Sequence, residues 1–116
     1  MPLDYYVWVI RNAERTVIVD TGFDHESARR RNRQIVLPVG EGLKAVGIAP
    51  DTVEHIVISH MHYDHSGNYD LFPRARYHLQ DAELSWCTGR DMVNPEVGGI
   101  FDAESVAAMV QKVFAG

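Results

Sequence analysis

Apolar positions fall in short runs whose period changes along the chain. Tyr5-Tyr6-Val7-Trp8-Val9-Ile10 is β-branched and aromatic, Arg11-Asn12-Ala13-Glu14-Arg15 is polar, and Thr16-Val17-Ile18-Val19 returns to the first composition. Two such runs around a short polar connection predict a β-hairpin. The second run ends in Asp20-Thr21-Gly22, which places a carboxylate, a hydroxyl and a flexible glycine where a strand exits into a loop. Residues 24–36 are polar and predict a helical or irregular excursion. From Pro38 the spacing of Val39, Leu43, Val46 and Ile48 predicts a short amphipathic helix, weakened by Gly40, Gly42 and Gly47 and stopped before Pro50.

Ile56-Val57-Ile58 is unbroken apolar sequence, which predicts a strand covered on both faces, and it delivers the chain to His60. A further strand is expected at Ala75–Leu79 and a helical turn around Asp81–Trp86. Asp102 is a good N-cap, and Val106, Met109, Val110, Val113 and Phe114 then fall on one face of a helix over 103–114. The order β, β, α, β, β, α predicts an α/β layered fold with a mixed sheet. There is no internal repeat, low-complexity tract or linker, so the 116 residues read as one domain.

With 46% apolar and 23% charged residues the chain is ordinary globular sequence, which excludes a disordered or collagen-like class. The run Tyr5–Ile10 is far short of the roughly 20 residues that cross a bilayer, and Asp4 sits where an export signal would carry positive charge. Neither a membrane span nor export is expected. Cys87 is the only cysteine, so no intrachain disulfide can form and a reducing, cytoplasmic location is expected. A formal charge of −5 is the wrong sign for gripping nucleic acid over a broad surface. The one basic cluster, Arg29, Arg30, Arg31 and Arg33, stands beside Asp24 and Glu26 and reads as a solvated face, with an arm for an acidic partner as the alternative.

The chemistry concentrates in Ser59-His60-Met61-His62-Tyr63-Asp64-His65-Ser66-Gly67-Asn68, which holds three of the six histidines. In a helix His60 and His62 would point about 200° apart; in extended chain His60, His62 and Asp64 share a face. A turn between Asp64 and His65, eased by Gly67, would send those two side chains to neighbouring points. The pattern suits two close metal sites, His60 with His62 and Asp64 with His65. Imidazole and carboxylate suit Zn2+, with Mn2+, Fe2+ or Co2+ as alternatives. Two such ions roughly 3.5–4 Å apart can hold a hydroxide between them, so the reaction class expected is metal-assisted hydrolysis. The alternative is a structural zinc knot or a loop of solvated histidines.

His60-x-His62-x-Asp64-His65 resembles the HxHxDH motif of the metallo-β-lactamase superfamily, and Val17-Ile18-Val19-Asp20-Thr21-Gly22 resembles that superfamily's strand ending in Asp-x-Gly. Together with Asp4–Ile10 and Ser59–Asn68 the likeness points to the N-acyl homoserine lactonase branch. The resemblance implies the N-terminal half of an αββα sandwich. It implies His60 and His62 on a first divalent ion, Asp64 and His65 on a second, and Asp64 as the group that takes or returns a proton. Asp20 would hydrogen-bond the histidine loop and hold its rings.

The family's later ligands, two histidines and a bridging aspartate, have no counterpart, because no histidine follows His78. The resemblance therefore implies a partial domain over 1–116, truncated at its C-terminus, inactive alone, and open to self-association through an uncovered face. His25 is a candidate neighbour of the site. His55 and His78 read as hydrogen-bonded structural histidines, Tyr5, Tyr6, Trp8 and Trp86 as packing, and Cys87 as inert. The substrate implied is a small lactone opened by a metal-bridging hydroxide. The alternatives are a thioester, as for glyoxalase II relatives, or a non-catalytic metal-binding fragment. His62 stands where the flavo-diiron branch has Glu, and the acidic surface argues against the nuclease branch.

Overall fold

The computed structural model describes residues 2–116. Four strands form one sheet in the order β1-β2-β3-β4: β1 is Trp8–Arg11, β2 Thr16–Val19, β3 His55–Val57 and β4 Arg76–His78. The β1–β2 pair is an antiparallel hairpin with Val9 opposite Ile18, closed by Asn12, whose Oδ1 accepts from the Glu14 and Arg15 amides. β2–β3 and β3–β4 are parallel, with Ile18 opposite Ile56 and Ile56 opposite Tyr77. The mixed sheet is the one expected. β1 starts later than the Tyr5–Ile10 run, although burial alternates through Tyr5, Val7 and Val9 before and into it.

The crossover from β2 to β3 carries α1, His25–Arg30, and α2, Val39–Ala45. α2 ends ahead of Gly47, whose φ of 82° turns the chain out of the helix, so Ile48 reaches the core from beyond the helix and Val46 stays exposed. After β4 come α3, Asp81–Cys87, the short α4, Pro95–Gly98, and α5, Ala103–Ala115. The helix expected over 103–114 is there, but two details differ. The Asp102 carboxylate does not cap it; it accepts instead from Ser27 Oγ at 2.6 Å and Arg31 at 2.8 Å. Of the apolar face only Met109 is fully buried, and Phe114 is 89% exposed. α4 lay outside the sequence reading; its signal was Asn94-Pro95, a side-chain cap on the Glu96 amide followed by proline.

Ile18, Ile56, Ile58, Leu43, Val53, Phe72 and Met109 pack into one core on the helix-bearing side of the sheet. Burying each side chain of this size contributes roughly 1.5–3 kcal/mol. The opposite face is open. Trp8 and Ile10 are 60% and 62% exposed, and Val57, expected to be covered, is 37% exposed. Ile56 and Ile58 point to the core while Val57 points away, so the apolar run marked a strand but not a second covering layer. No described helix is long and apolar enough to cross a membrane.

The arginine cluster is a self-neutralised face. Arg29 pairs with Glu26, Arg30 with Glu104 and Asp102, and Arg31 with Asp102. Arg33 donates to the Tyr63 hydroxyl. These pairings leave little charge for an acidic partner.

Candidate metal centre

Parallel pairing of β2 and β3 sends both chains out at the same edge of the sheet. Asp20 follows Val19, which stands opposite Val57, and its amide donates to the Val57 carbonyl at 2.8 Å. The segment 20–22 then runs alongside 65–67: Thr21 N donates to His65 O at 2.9 Å, and Gly67 N donates to Gly22 O at 2.8 Å. Asn68 adds a bond from Nδ2 to the Thr21 carbonyl. Crevices at the carboxyl ends of parallel strands are where open α/β sheets bind ligands.

Within the histidine segment the extended stretch stops at His62. His62 forms an isolated bridge with Phe101, and the His65 amide donates to the His62 carbonyl at 3.0 Å, closing a turn over Tyr63 and Asp64. The turn therefore begins earlier than the Asp64–His65 junction expected from alternation, and it is this turn that brings Asp64 in. Ser66 Oγ, fully buried, stabilises it by donating to the His62 and Met61 carbonyls.

The side chains meet. The His60 ring lies 4.5 Å from that of His62 and 4.0 Å from that of His65, centroid to centroid, and His65 Nε2 is 3.2 Å from Asp64 Oδ2. Phe101 packs edge-on against His62 at 4.9 Å. Burial, with the neighbouring His60 second, pulls the His62 imidazole below its ordinary pKa, which favours the neutral ring that ligates metals.

Asp20 organises the loop. Its φ is 62° and its side chain is buried. Oδ1 accepts from the Ser59 amide at 2.7 Å, and Oδ2 accepts from Ser59 Oγ at 2.8 Å and His65 Nδ1 at 2.7 Å. Because the single Ser59 hydroxyl proton goes to Asp20, Ser59 Oγ accepts from His60 Nδ1, 2.9 Å away. One carboxylate thus sets both tautomers: His60 and His65 carry their protons on Nδ1 and keep Nε2 as a lone pair. In the neutral ring that lone pair on His65 faces the Asp64 carboxylate, acceptor against acceptor, an arrangement that a cation reconciles.

This donor set fits divalent metal as pairs of donors. Among the described residues no group of three His, Cys, Asp or Glu side chains stands ready to hold one ion. His25 opens α1 and is exposed, and among the described residues no hydrogen bond or ion pair ties it to the loop. His55 and His78 do form hydrogen bonds as expected, but with each other. Cys87 is buried, and that burial raises its thiol pKa.

Sequence reasoning missed Ser59 as the link to His60, and Glu83, whose Oε1 accepts from the Met61 amide at 2.7 Å and tethers the loop from α3. It also missed Phe101. The signal for Ser59 was its place between an apolar strand and His60; Glu83 and Phe101 are brought in by tertiary packing alone.

The family model of the metallo-beta-lactamase superfamily matches residues 2–83. The N-acyl homoserine lactonase AiiB of Agrobacterium fabrum is 28% identical over 91 residues, 67% of this chain and 33% of that protein. An N-acyl homoserine lactonase of Bacillus cereus is 27% identical over 95 residues, 70% of this chain and 38% of that protein. The chain spans about a third of the length of these curated relatives. Among solved structures, a quorum-quenching N-acyl homoserine lactone lactonase superposes with a TM-score of 0.66 at 22% identity, over 86% of this chain and 39% of that one. An N-acyl homoserine lactone hydrolase with N-hexanoyl-L-homoserine bound at its catalytic metal centre superposes with a TM-score of 0.63 at 22% identity, over 86% of this chain and 42% of that one. The superpositions bear on the fold. With the family match running through β1–β4, the Asp20 turn and the histidine loop, this chain belongs to the metallo-beta-lactamase superfamily.

Proposed function

We propose that this chain carries the histidine-loop half of a dizinc hydrolase centre that opens the lactone ring of N-acyl homoserine lactones. The observation that supports it most is the pairing of Asp20 with His65 and, through Ser59, with His60, which leaves both Nε2 atoms as lone pairs, that of His65 3.2 Å from the Asp64 carboxylate. The curated relatives, named as N-acyl homoserine lactonases, support the substrate class.

His60 and His62 would hold one divalent ion, and Asp64 with His65 a second, zinc before manganese, iron or cobalt by ligand type. Such ions supply Lewis acidity and an activated water. Asp20 and Ser59 fix the tautomers, Phe101 and the Met61–Glu83 bond hold the loop, and Asp64 takes or returns a proton at its carboxylate. Each ion receives two donors from this chain, so zinc is held weakly and the chain alone turns over no lactone.

The test is a chain extended by the C-terminal half of a homoserine lactonase, assayed on an acyl homoserine lactone and on an acyl-glutathione thioester. Chelator-sensitive lactone opening is expected. Turnover of the thioester alone would replace the lactone reading with the glyoxalase II-like one. Tight zinc binding without either turnover would favour a metal-binding module.

A further inference from the structure

The other histidine pair lies on the open face of the sheet, outside the histidine loop. His55 is the first residue of β3 and His78 the last of β4. In the parallel register His55 stands opposite Arg76 and Val57 opposite His78, so the two histidines occupy diagonal positions on one face. His55 Nδ1 is 3.2 Å from His78 Nε2, with ring centroids 5.4 Å apart and planes inclined by 33°. His55 is half-buried and His78 exposed.

We propose that His55 and His78 form a second, bidentate site for a divalent cation of the nickel–copper–zinc group. Metal–imidazole bonds are about 2.0–2.1 Å, and two of them spanning the observed 3.2 Å enclose an angle of about 100° at the ion, between square and tetrahedral values. The separation is that of a cis-ligand pair. One ring proton now lies between the two nitrogens. Moving it to the other nitrogen of its own ring leaves His55 Nδ1 and His78 Nε2 both as donors, so the neutral pair takes up the cation with no net loss of a proton. Rotation of the two rings about their last side-chain bonds, a soft torsion, aims the lone pairs at a common point.

The backbone is already ordered. Strands β3 and β4 are locked by their ladder and by the Ile58 amide on the His78 carbonyl at 2.9 Å, so binding orders only two side chains and water completes the coordination. With two imidazoles as its protein donors, the site holds its ion exchangeably, and copper most strongly of the group.

The experiment is an amide-resolved nuclear magnetic resonance titration of the full chain with substoichiometric Cu2+, backed by calorimetry. Broadening is expected at Ile56 and Tyr77, resolved from any at His60–His65. His78→Gln and His55→Gln, both at a solvent-accessible face and checked by unchanged spectra elsewhere, should each remove it and weaken binding at this site on the order of tenfold or more. Broadening confined to the His60–His65 loop would overturn the proposal, as would broadening at Ile56 and Tyr77 that survives both substitutions. Because the readout is at strands β3 and β4, its failure leaves the reading of the histidine loop untouched.

Discussion

The carboxylate of Asp20 accepts a hydrogen bond from His65 Nδ1 at 2.7 Å across a gap of 45 residues, from a backbone held at φ 62°. That bond joins the end of β2 to the loop that follows β3, and with Ser59 it decides which nitrogen of each ring faces outward. Replacing the accepting oxygen by an amide removes the decision. Asp20→Asn keeps the shape and tolerates the left-handed backbone, but its NH2 group can favour protonation of His65 on Nε2. Zinc affinity should fall by about 10–100-fold. Calorimetric titration against thermal melts separates the effects; unchanged affinity with a collapsed melting temperature would make Asp20 a folding residue.

Gly67 is required by contact. A Cβ there would lie 2.8 Å from the Gly22 carbonyl oxygen and 2.9 Å from the Phe23 Cα, both backbone atoms. Gly67→Ala must therefore push apart the segments that carry Asp20 and His65. A loss of about 1–3 kcal/mol in urea unfolding is expected, with weaker zinc binding. A wild-type unfolding midpoint would show that the two segments move independently.

Acid should loosen the junction between α1 and α5. Burial works to raise the Asp102 pKa, but hydrogen bonds from Ser27 and Arg31 and the charges of Arg31 and Arg30 outweigh it and hold the carboxyl below its ordinary range. A depressed folded-state pKa contributes stability that is present above the unfolded value, near 3.9, and is lost as pH falls through the folded one. Asp102→Asn should cost about 1.5–3 kcal/mol near neutrality and then flatten the acid limb of stability against pH. Urea midpoints from pH 6 to pH 2 check this; parallel curves for the two proteins would assign the acid limb elsewhere.

The open sheet face should drive the chain to pair with itself. Trp8 and Ile10 lie on the edge strand β1, mostly exposed, on the same face as Val57. An apolar face beside an unpaired edge favours association. Sedimentation should show dimers or larger species that Trp8→Glu with Ile10→Lys returns to monomer. A monomeric wild type at high concentration would contradict this.

The strands were legible because β-branched runs separated by polar turns have few other solutions, and the metal-ligand candidates because alternate histidines after an apolar strand are rare by chance. The Val57 face was misread because a continuous apolar run states that residues are apolar and not that anything covers them. Asp102 was misread because its capping position and its tertiary partners compete for the same oxygens, and the tertiary partners Ser27 and Arg31 win. Glu83 and Phe101 could not be read at all, since the distance between them and the loop is set only when α3 and the 100–102 segment pack.

The central claim is that His60 and His62, with Asp64 and His65, hold the metal. It is tested most directly by an equilibrium zinc titration, using a competing chromophoric chelator, of the chain carrying His78→Gln with and without His60→Ala and His62→Ala. The His78 change silences the strand pair so that only the loop is read. The account predicts that the double substitution weakens zinc binding at least tenfold while the circular dichroism spectrum is unchanged. Equal zinc affinity in the two folded proteins would contradict it.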